Sequence, residues 1–214
     1  MMKVLILGAS GFLGGILYKK IKEETDFWVL GTYHELKKNN ELIKLNITNL
    51  IDVKTFLEHF KADVIVWCLT GKTNEKELIN EGLPNVINNM NQGCKFIFMS
   101  TNAVFGEGKG NFLEEDIPSY KSSGSAIALY SNAKIDGEKL VKELDDYIII
   151  RPGVIYGQNI SGKWDKRLSQ LIEDLTAGTS VVKTTNLINT FVEVNELSEA
   201  IIKLIKIDYK GILE

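Results

Sequence analysis

The chain has 214 residues, enough for one domain with at most a small appendage. Its formal net charge of -3 gives no electrostatic reason to bind nucleic acid or an anionic membrane, and its 44% hydrophobic content is ordinary for a globular core. Cys68 and Cys94 match no metal or redox spacing and lie in apolar runs, so they read as buried free thiols in a reducing compartment.

The first expected strand, Lys3–Leu7, starts almost at the N-terminus. No basic leader precedes it and no apolar run approaches membrane-spanning length, so a cytoplasmic location is the expectation. The strand runs into Gly8, Gly11 and Gly14, with Ser10, Phe12 and Leu13 filling the turn, and a helix is expected over Gly14–Glu24. Glycines at this spacing let a backbone turn sharply and lie against a pyrophosphate, with the helix N-terminus aimed at the anion. The alternative is a tight βα turn that binds nothing.

Further strands are expected at Trp28–Tyr33, Leu42–Leu45, Asp63–Leu69, Lys95–Ser100 and Tyr147–Arg151. Runs such as Val64-Ile65-Val66-Trp67 are apolar without alternation, as in strands covered on both faces. Helices are expected between them at Leu50–Phe60, Glu75–Asn91 and Leu129–Leu144. This βα alternation predicts an α/β fold with a doubly wound parallel sheet, a Rossmann fold.

The rhythm breaks over Phe105–Ile127, where Gly106, Gly108 and Gly110 precede the acidic run Glu114–Asp116. A connection of this length in a compact domain points to function or motion; the acids themselves read as a solvated loop. Past Arg151 the periodicity weakens. Helices are expected at Trp164–Leu175 and Asn195–Ile205, and a short strand at Val181–Lys183. The expected division is a dinucleotide-binding part, residues 1–151, and a rudimentary substrate lobe with a closing helix and strand, residues 152–214, in one compact unit.

Two stretches carry candidate chemistry. Met99-Ser100-Thr101-Asn102 ends the fifth strand, and the carboxyl ends of parallel strands face the ligand crevice. The competing reading of Thr101 is a turn or cap hydroxyl. Tyr130 and Lys134 are four residues apart, on one face of a helix. A lysine ammonium beside a tyrosine lowers its ionisation from about 10 by roughly 1–3 units, which equips Tyr130 to pass a proton to or from a carbonyl or alcohol. The competing reading is a surface helix pair. Thr101 could hold the same oxygen, and a dinucleotide would supply hydride.

With G-x-x-G-x-x-G, the hydroxyl after strand five and Y-x-x-x-K in order, the sequence resembles the extended branch of the short-chain dehydrogenase/reductases, which modify sugar nucleotides. Within it the sequence is similar to the dTDP-4-dehydrorhamnose reductase-like and NAD-dependent epimerase/dehydratase proteins. Leu45-Asn46-Ile47-Thr48-Asn49, Ser100-Thr101-Asn102-Ala103-Val104-Phe105-Gly106 and Ile150-Arg151-Pro152-Gly153-Val154-Ile155-Tyr156-Gly157 carry that likeness.

The resemblance implies a keto reductase acting on a nucleotide-linked sugar, with Thr101, Tyr130 and Lys134 catalytic. It implies cofactor contacts from Gly8, Ser10, Gly11, Phe12, Leu13, Gly14, Thr32, Tyr33, Asn46, Ile47, Leu69, Thr70, Tyr130, Lys134, Arg151, Pro152 and Val154. Asn102, Val104 and Trp164 would meet substrate, Trp164 packing the lobe in the alternative. Strand two ends at Tyr33 with no acid before Glu35 and with Lys37 and Lys38 following, which favours NADP(H) over NAD(H). The alternative is that those lysines only solvate a loop.

Two other functions stay open: an epimerase or dehydratase that retains NAD, and a non-catalytic NAD(P)-binding regulatory protein. Asn102, where dehydratases carry an acid, speaks against dehydration. His34 and His59 read as surface residues and complete no metal site, so no metal is implied. The resemblance also implies a homodimer through helices 75–91 and 129–144, with Pro84 kinking the first. Relatives continue past the strand expected near Gly211 and carry an arginine upstream of the segment matching Asn189–Val192. Here no arginine follows Arg167, and Lys183, Lys203, Lys206 and Lys210 are the remaining cations named.

Overall fold

The structure, a computed structural model, describes residues 1–35, 40–71, 73–106, 110–182 and 189–214. Lys37, Lys38, Gly108 and Lys183 lie outside the described residues.

Seven strands form one sheet, paired in parallel throughout in the order β3-β2-β1-β4-β5-β6-β9. They are β1 (Lys3–Leu7), β2 (Trp28–Tyr33), β3 (Ile43–Lys44), β4 (Val64–Trp67), β5 (Lys95–Met99), β6 (Tyr147–Ile150) and β9 (Gly211–Leu213). The order reverses between β1 and β4, which opens a crevice beyond their carboxyl ends. A doubly wound α/β sheet is therefore what the continuous apolar runs encode.

Side chains of successive strand residues leave opposite faces of the sheet, so each strand feeds two cores. Val4, Ile6, Val64 and Val66 pack with α1 (Phe12–Glu24) and α7 (Val194–Lys206). Leu5, Leu7, Ile65, Trp67, Phe96 and Phe98 pack with α2 (Leu50–His59), with helical turns from residue 75 onward, and with α5 (Ala126–Lys142). Both faces are covered, which is why these strands show no alternation of apolar and polar residues.

The helix expected over Glu75–Asn91 is three pieces: α3 (Glu75–Glu77), a π-helical stretch Leu78–Gly82, and α4 (Leu83–Ile87). Pro84 stands in the first turn of α4. A proline ring clashes with the carbonyl four residues earlier, and the wider π turn just upstream accommodates that loss of regular bonding. Within the two helical segments expected to pair in a dimer, Ile79, Val86, Ala133 and Val141 are packed in the protein's own core, and Leu129 and Leu140 are exposed.

Beyond β6 the chain forms a small two-stranded parallel sheet, β7 (Val154–Tyr156) with β8 (Phe191–Glu193), and α6 (Lys166–Thr176). The sequence did not signal β7 or β8, which are only three residues long. No strand is found at Val181–Val182. The chain then returns to the main body, α7 against α1 and β9 beside β6, so the lobe is an excursion rather than a tail. No helix of the described residues is long and apolar enough to cross a membrane.

Candidate active site

The turn after β1 closes with Gly11 N–H donating to the Gly8 carbonyl at 2.9 Å. Gly8 adopts a φ of +91°, and a Cβ on Gly14 would stand 2.4 Å from the Gly8 carbonyl oxygen. Glycine at 14 thus lets α1 press onto the turn. Gly11 caps α1 without a side-chain bond, and the first turn holds no acid. The amides of Phe12, Leu13 and Gly14 are left without intrahelical acceptors, a cradle suited to a pyrophosphate. The buried Thr32 accepts from the Gly8 N–H at 3.3 Å, so its hydroxyl shapes this turn.

A cleft of about 990 Å³ runs from the turn across the ends of β4, β5 and β6. Gly11, Phe12 and Leu13 line one end; Leu69, Thr70, Thr101, Asn102, Tyr130, Lys134, Pro152 and Val154 line the rest. A small cavity of about 70 Å³ holds Thr32, Tyr33, Asn46, Ile47 and Leu69 together, with Asn74 and Glu77 as further walls that sequence reasoning had not included. Leu69 borders both spaces. Ser10 lines a separate cavity on the outer side of the turn, beside Lys19 and Lys163. Asn46 Oδ1 accepts from Thr48 N–H and Thr48 Oγ1, so its NH2 is the part left to meet a ligand.

Thr101 is a cap after all: its Oγ1 accepts from Ala103 N–H at 3.1 Å as the 3-10 turn Asn102–Val104 begins. An accepting hydroxyl keeps its own proton to donate, so capping and oxygen binding coexist. Asn102 Nδ2 donates to Thr190 Oγ1 at 3.2 Å, tying the cleft to the lobe. Asn132, inside the Tyr130–Lys134 motif, exchanges two hydrogen bonds with the backbone of Lys121, and Lys121 Nζ reaches the Phe105 carbonyl at 2.8 Å. The long connection is thereby fastened to the helix that carries the candidate catalytic pair.

Lys134 is almost wholly buried, with Nζ 3.3 Å from the Leu69 carbonyl, 5.0 Å from the Phe98 ring centre and 5.7 Å from that of Tyr130. Its charge meets Glu75 Oε1 at 2.9 Å, a partner that sequence reasoning missed. The expected lowering of the Tyr130 hydroxyl does not occur. Burial first, then the Glu75 charge, push it up to about 12, against a hydrogen bond from Thr70 that acts the other way. The motif shows the lysine; only the fold shows the carboxylate beside it.

Arg151, Val104 and Trp164 are expected site residues that line neither the cleft nor the small cavity beside it. Arg151 is buried with its guanidinium forked onto Glu138, Nε to Oε1 at 3.0 Å and Nη2 to Oε2 at 2.8 Å. Ser100 Oγ donates to the same carboxylate at 2.6 Å. Desolvated charges need such partners, so Arg151 fastens β6 to α5 instead of reaching a cofactor. Val104 is fully buried with Phe105 and Ile135, because the 3-10 turn rolls it inward. Trp164 is half-exposed at a bridge to Gln158 and lines none of these spaces. In its place the lobe offers Arg167, which lines the cleft and donates to the Ile155 carbonyl at 2.6 Å. Its signal in the sequence was only that it is the last arginine.

Comparison with known proteins agrees with this fold. The family model described as "NAD dependent epimerase/dehydratase family" matches residues 4–211. The beta subunit of methionine adenosyltransferase 2 from Xenopus laevis is 30% identical over 169 residues, 72% of this chain and 47% of that protein. The chain thus spans about half the length of that curated relative. A hypothetical dTDP-4-dehydrorhamnose reductase from Sulfolobus tokodaii superposes with a TM-score of 0.81 at 24% identity, over 99% of this chain and 75% of that one. A dTDP-4-dehydrorhamnose reductase from Clostridium acetobutylicum gives 0.72 at 25% identity, over 99% and 72%.

Proposed function

The chain belongs to the NAD dependent epimerase/dehydratase family, and from that premise we propose that it reduces a keto group of a nucleotide-linked sugar. The observation that carries this reading is that Thr101, Tyr130 and Lys134 line one cleft with Gly11, Phe12 and Leu13 of the glycine turn.

The turn fits a dinucleotide pyrophosphate, because the Phe12–Gly14 amides lack intrahelical acceptors and glycine at 14 lets α1 close onto the turn. Asn46, Ile47, Tyr33 and Leu69 would hold the adenosine end, and Thr70, Lys134, Pro152 and Val154 the nicotinamide end. Bound there, the cofactor would supply hydride to the carbonyl carbon. Tyr130 gives its proton to the carbonyl oxygen, and the Thr101 hydroxyl donates to the same atom. The apolar walls Phe105, Phe112 and Ile127 exclude water. Arg167 is the guanidinium available to a substrate phosphate. We favour NADP(H) over NAD(H), because β2 ends at Tyr33 without a carboxylate to bind ribose hydroxyls.

Titration with NADPH and NADH, followed by nicotinamide fluorescence, tests the cofactor site; a panel of nucleotide-linked keto sugars then tests turnover. Micromolar NADPH binding ahead of NADH, with turnover on one member of the panel, is expected. Binding of neither overturns the reading. The relative named as an enzyme subunit supports a second one, a dinucleotide-binding subunit. Tight binding without turnover on any keto sugar would favour it. A dinucleotide that co-purifies and is not exchanged would instead favour an epimerase.

A further inference from the structure

The buried acid Glu75 has no part in the chemistry so far. Its side chain is 6% exposed and that of Lys134 is 1% exposed, with 2.9 Å between Oε1 and Nζ. The other carboxylate oxygen accepts from the Gly71 N–H at 2.5 Å, which anchors the acid to the loop that follows β4. The ammonium is held by three groups from three elements: the Leu69 carbonyl, the Phe98 ring and the Glu75 carboxylate. Seen from the tyrosine, the pair is neutral.

We propose that Glu75 is a positioning residue that takes up the charge of Lys134 and so keeps Tyr130 in its protonated, proton-giving form at rest. The inference rests on the reductase reading and adds to it the resting state of the proton donor. In the step concerned, the Tyr130 O–H bond breaks and an O–H bond forms on the substrate oxygen. Hydride from the reduced nicotinamide completes the new C–H bond, and water reprotonates the phenolate. The carbonyl is reduced and the nicotinamide oxidised, so atoms and electrons balance. A phenolate base, which alcohol oxidation requires, would need Lys134 as an uncompensated cation.

The other groups facing Tyr130 do not replace that cation. Thr70 offers a hydroxyl, Thr101 another, and the Cys68 thiol is pushed up to about 12 by burial, so it stays neutral. Arg167 lines the cleft from the lobe but is 62% exposed and bonded to the Ile155 carbonyl and to Asp165. The raised ionisation of Tyr130 described above agrees with the geometry.

The test reads tyrosinate absorbance between pH 7 and 11 on protein free of substrate. Subtracting the same titration of Tyr130→Phe isolates Tyr130. Wild type is expected to show no Tyr130 ionisation below pH 11. Glu75→Gln should raise the ionisation constant at least tenfold, bringing the transition into range. The double variant Glu75→Gln/Lys134→Met, which leaves no buried charge unpaired, should again show none. The proposal is overturned if wild-type Tyr130 ionises below pH 11, or if Glu75→Gln shows no transition where wild type shows none. Should Glu75→Gln fail to fold, wild type and the double variant decide. Silence of both below pH 11 supports the proposal, and a wild-type transition at least one unit below that of the double variant overturns it. No turnover enters the measurement, so its outcome is separable from that of the cofactor and substrate screens.

Discussion

Arg151 and Glu138 meet in a two-point fork inside the protein, where neither side chain touches solvent appreciably. The pair couples the last residue before the lobe to the helix that carries Tyr130 and Lys134. It is also the clearest case in which a residue of a recognisable motif does structural work.

Removing Glu138 leaves the buried Arg151 charge with only the Glu114 carbonyl at 3.3 Å and the Glu214 carboxylate at 3.8 Å. Glu138→Leu should cost about 3–5 kcal/mol in urea unfolding. Replacing both, Arg151→Met with Glu138→Leu, should restore most of that stability and leave NADPH affinity within about twofold. A large loss of affinity in the double variant would return Arg151 to the cofactor site.

Gly14 is the point where helix and turn touch. With a Cβ placed 2.4 Å from the Gly8 carbonyl oxygen, Gly14→Ala must push α1 away from the turn. NADPH binding should weaken at least tenfold by fluorescence titration. Unchanged affinity would mean the cradle binds nothing.

Tyr130→Phe removes the proton donor and keeps the aromatic ring. Turnover should fall about 10²–10⁴-fold while NADPH affinity stays within about twofold. The pH sign follows from the raised ionisation. In the folded protein Tyr130 loses its proton near 12, above the unfolded value of about 10. Its contribution to stability is whole below pH 10 and is lost as pH rises through 12. Alkaline unfolding of Tyr130→Phe should therefore begin at higher pH than that of wild type.

Burial pushes the Cys68 and Cys94 thiols up to about 12, so few thiolates exist at pH 8. A disulfide reagent should leave both unmodified in the native protein and modify both in denaturant. Rapid reaction of native Cys68, which borders the cleft, would mean that the end of β4 opens.

The sequence by itself determined the sheet, the glycine turn and the order of hydroxyl, tyrosine and lysine. Each is written in local periodicity: apolar runs that suit a doubly covered strand, and a four-residue step that a helix turns into neighbours on one face. What faces those residues was not written there. Glu75 and Lys134 are 59 positions apart and meet because α3 and α5 pack on the same sheet face. Glu138 and Ser100, 38 apart, meet because α5 crosses the end of β5. Charge partners across a core are set by packing, and no local pattern records them. The tertiary structure therefore decided that Glu75 faces Lys134, that Arg151 is internal, and that Arg167 lines the cleft.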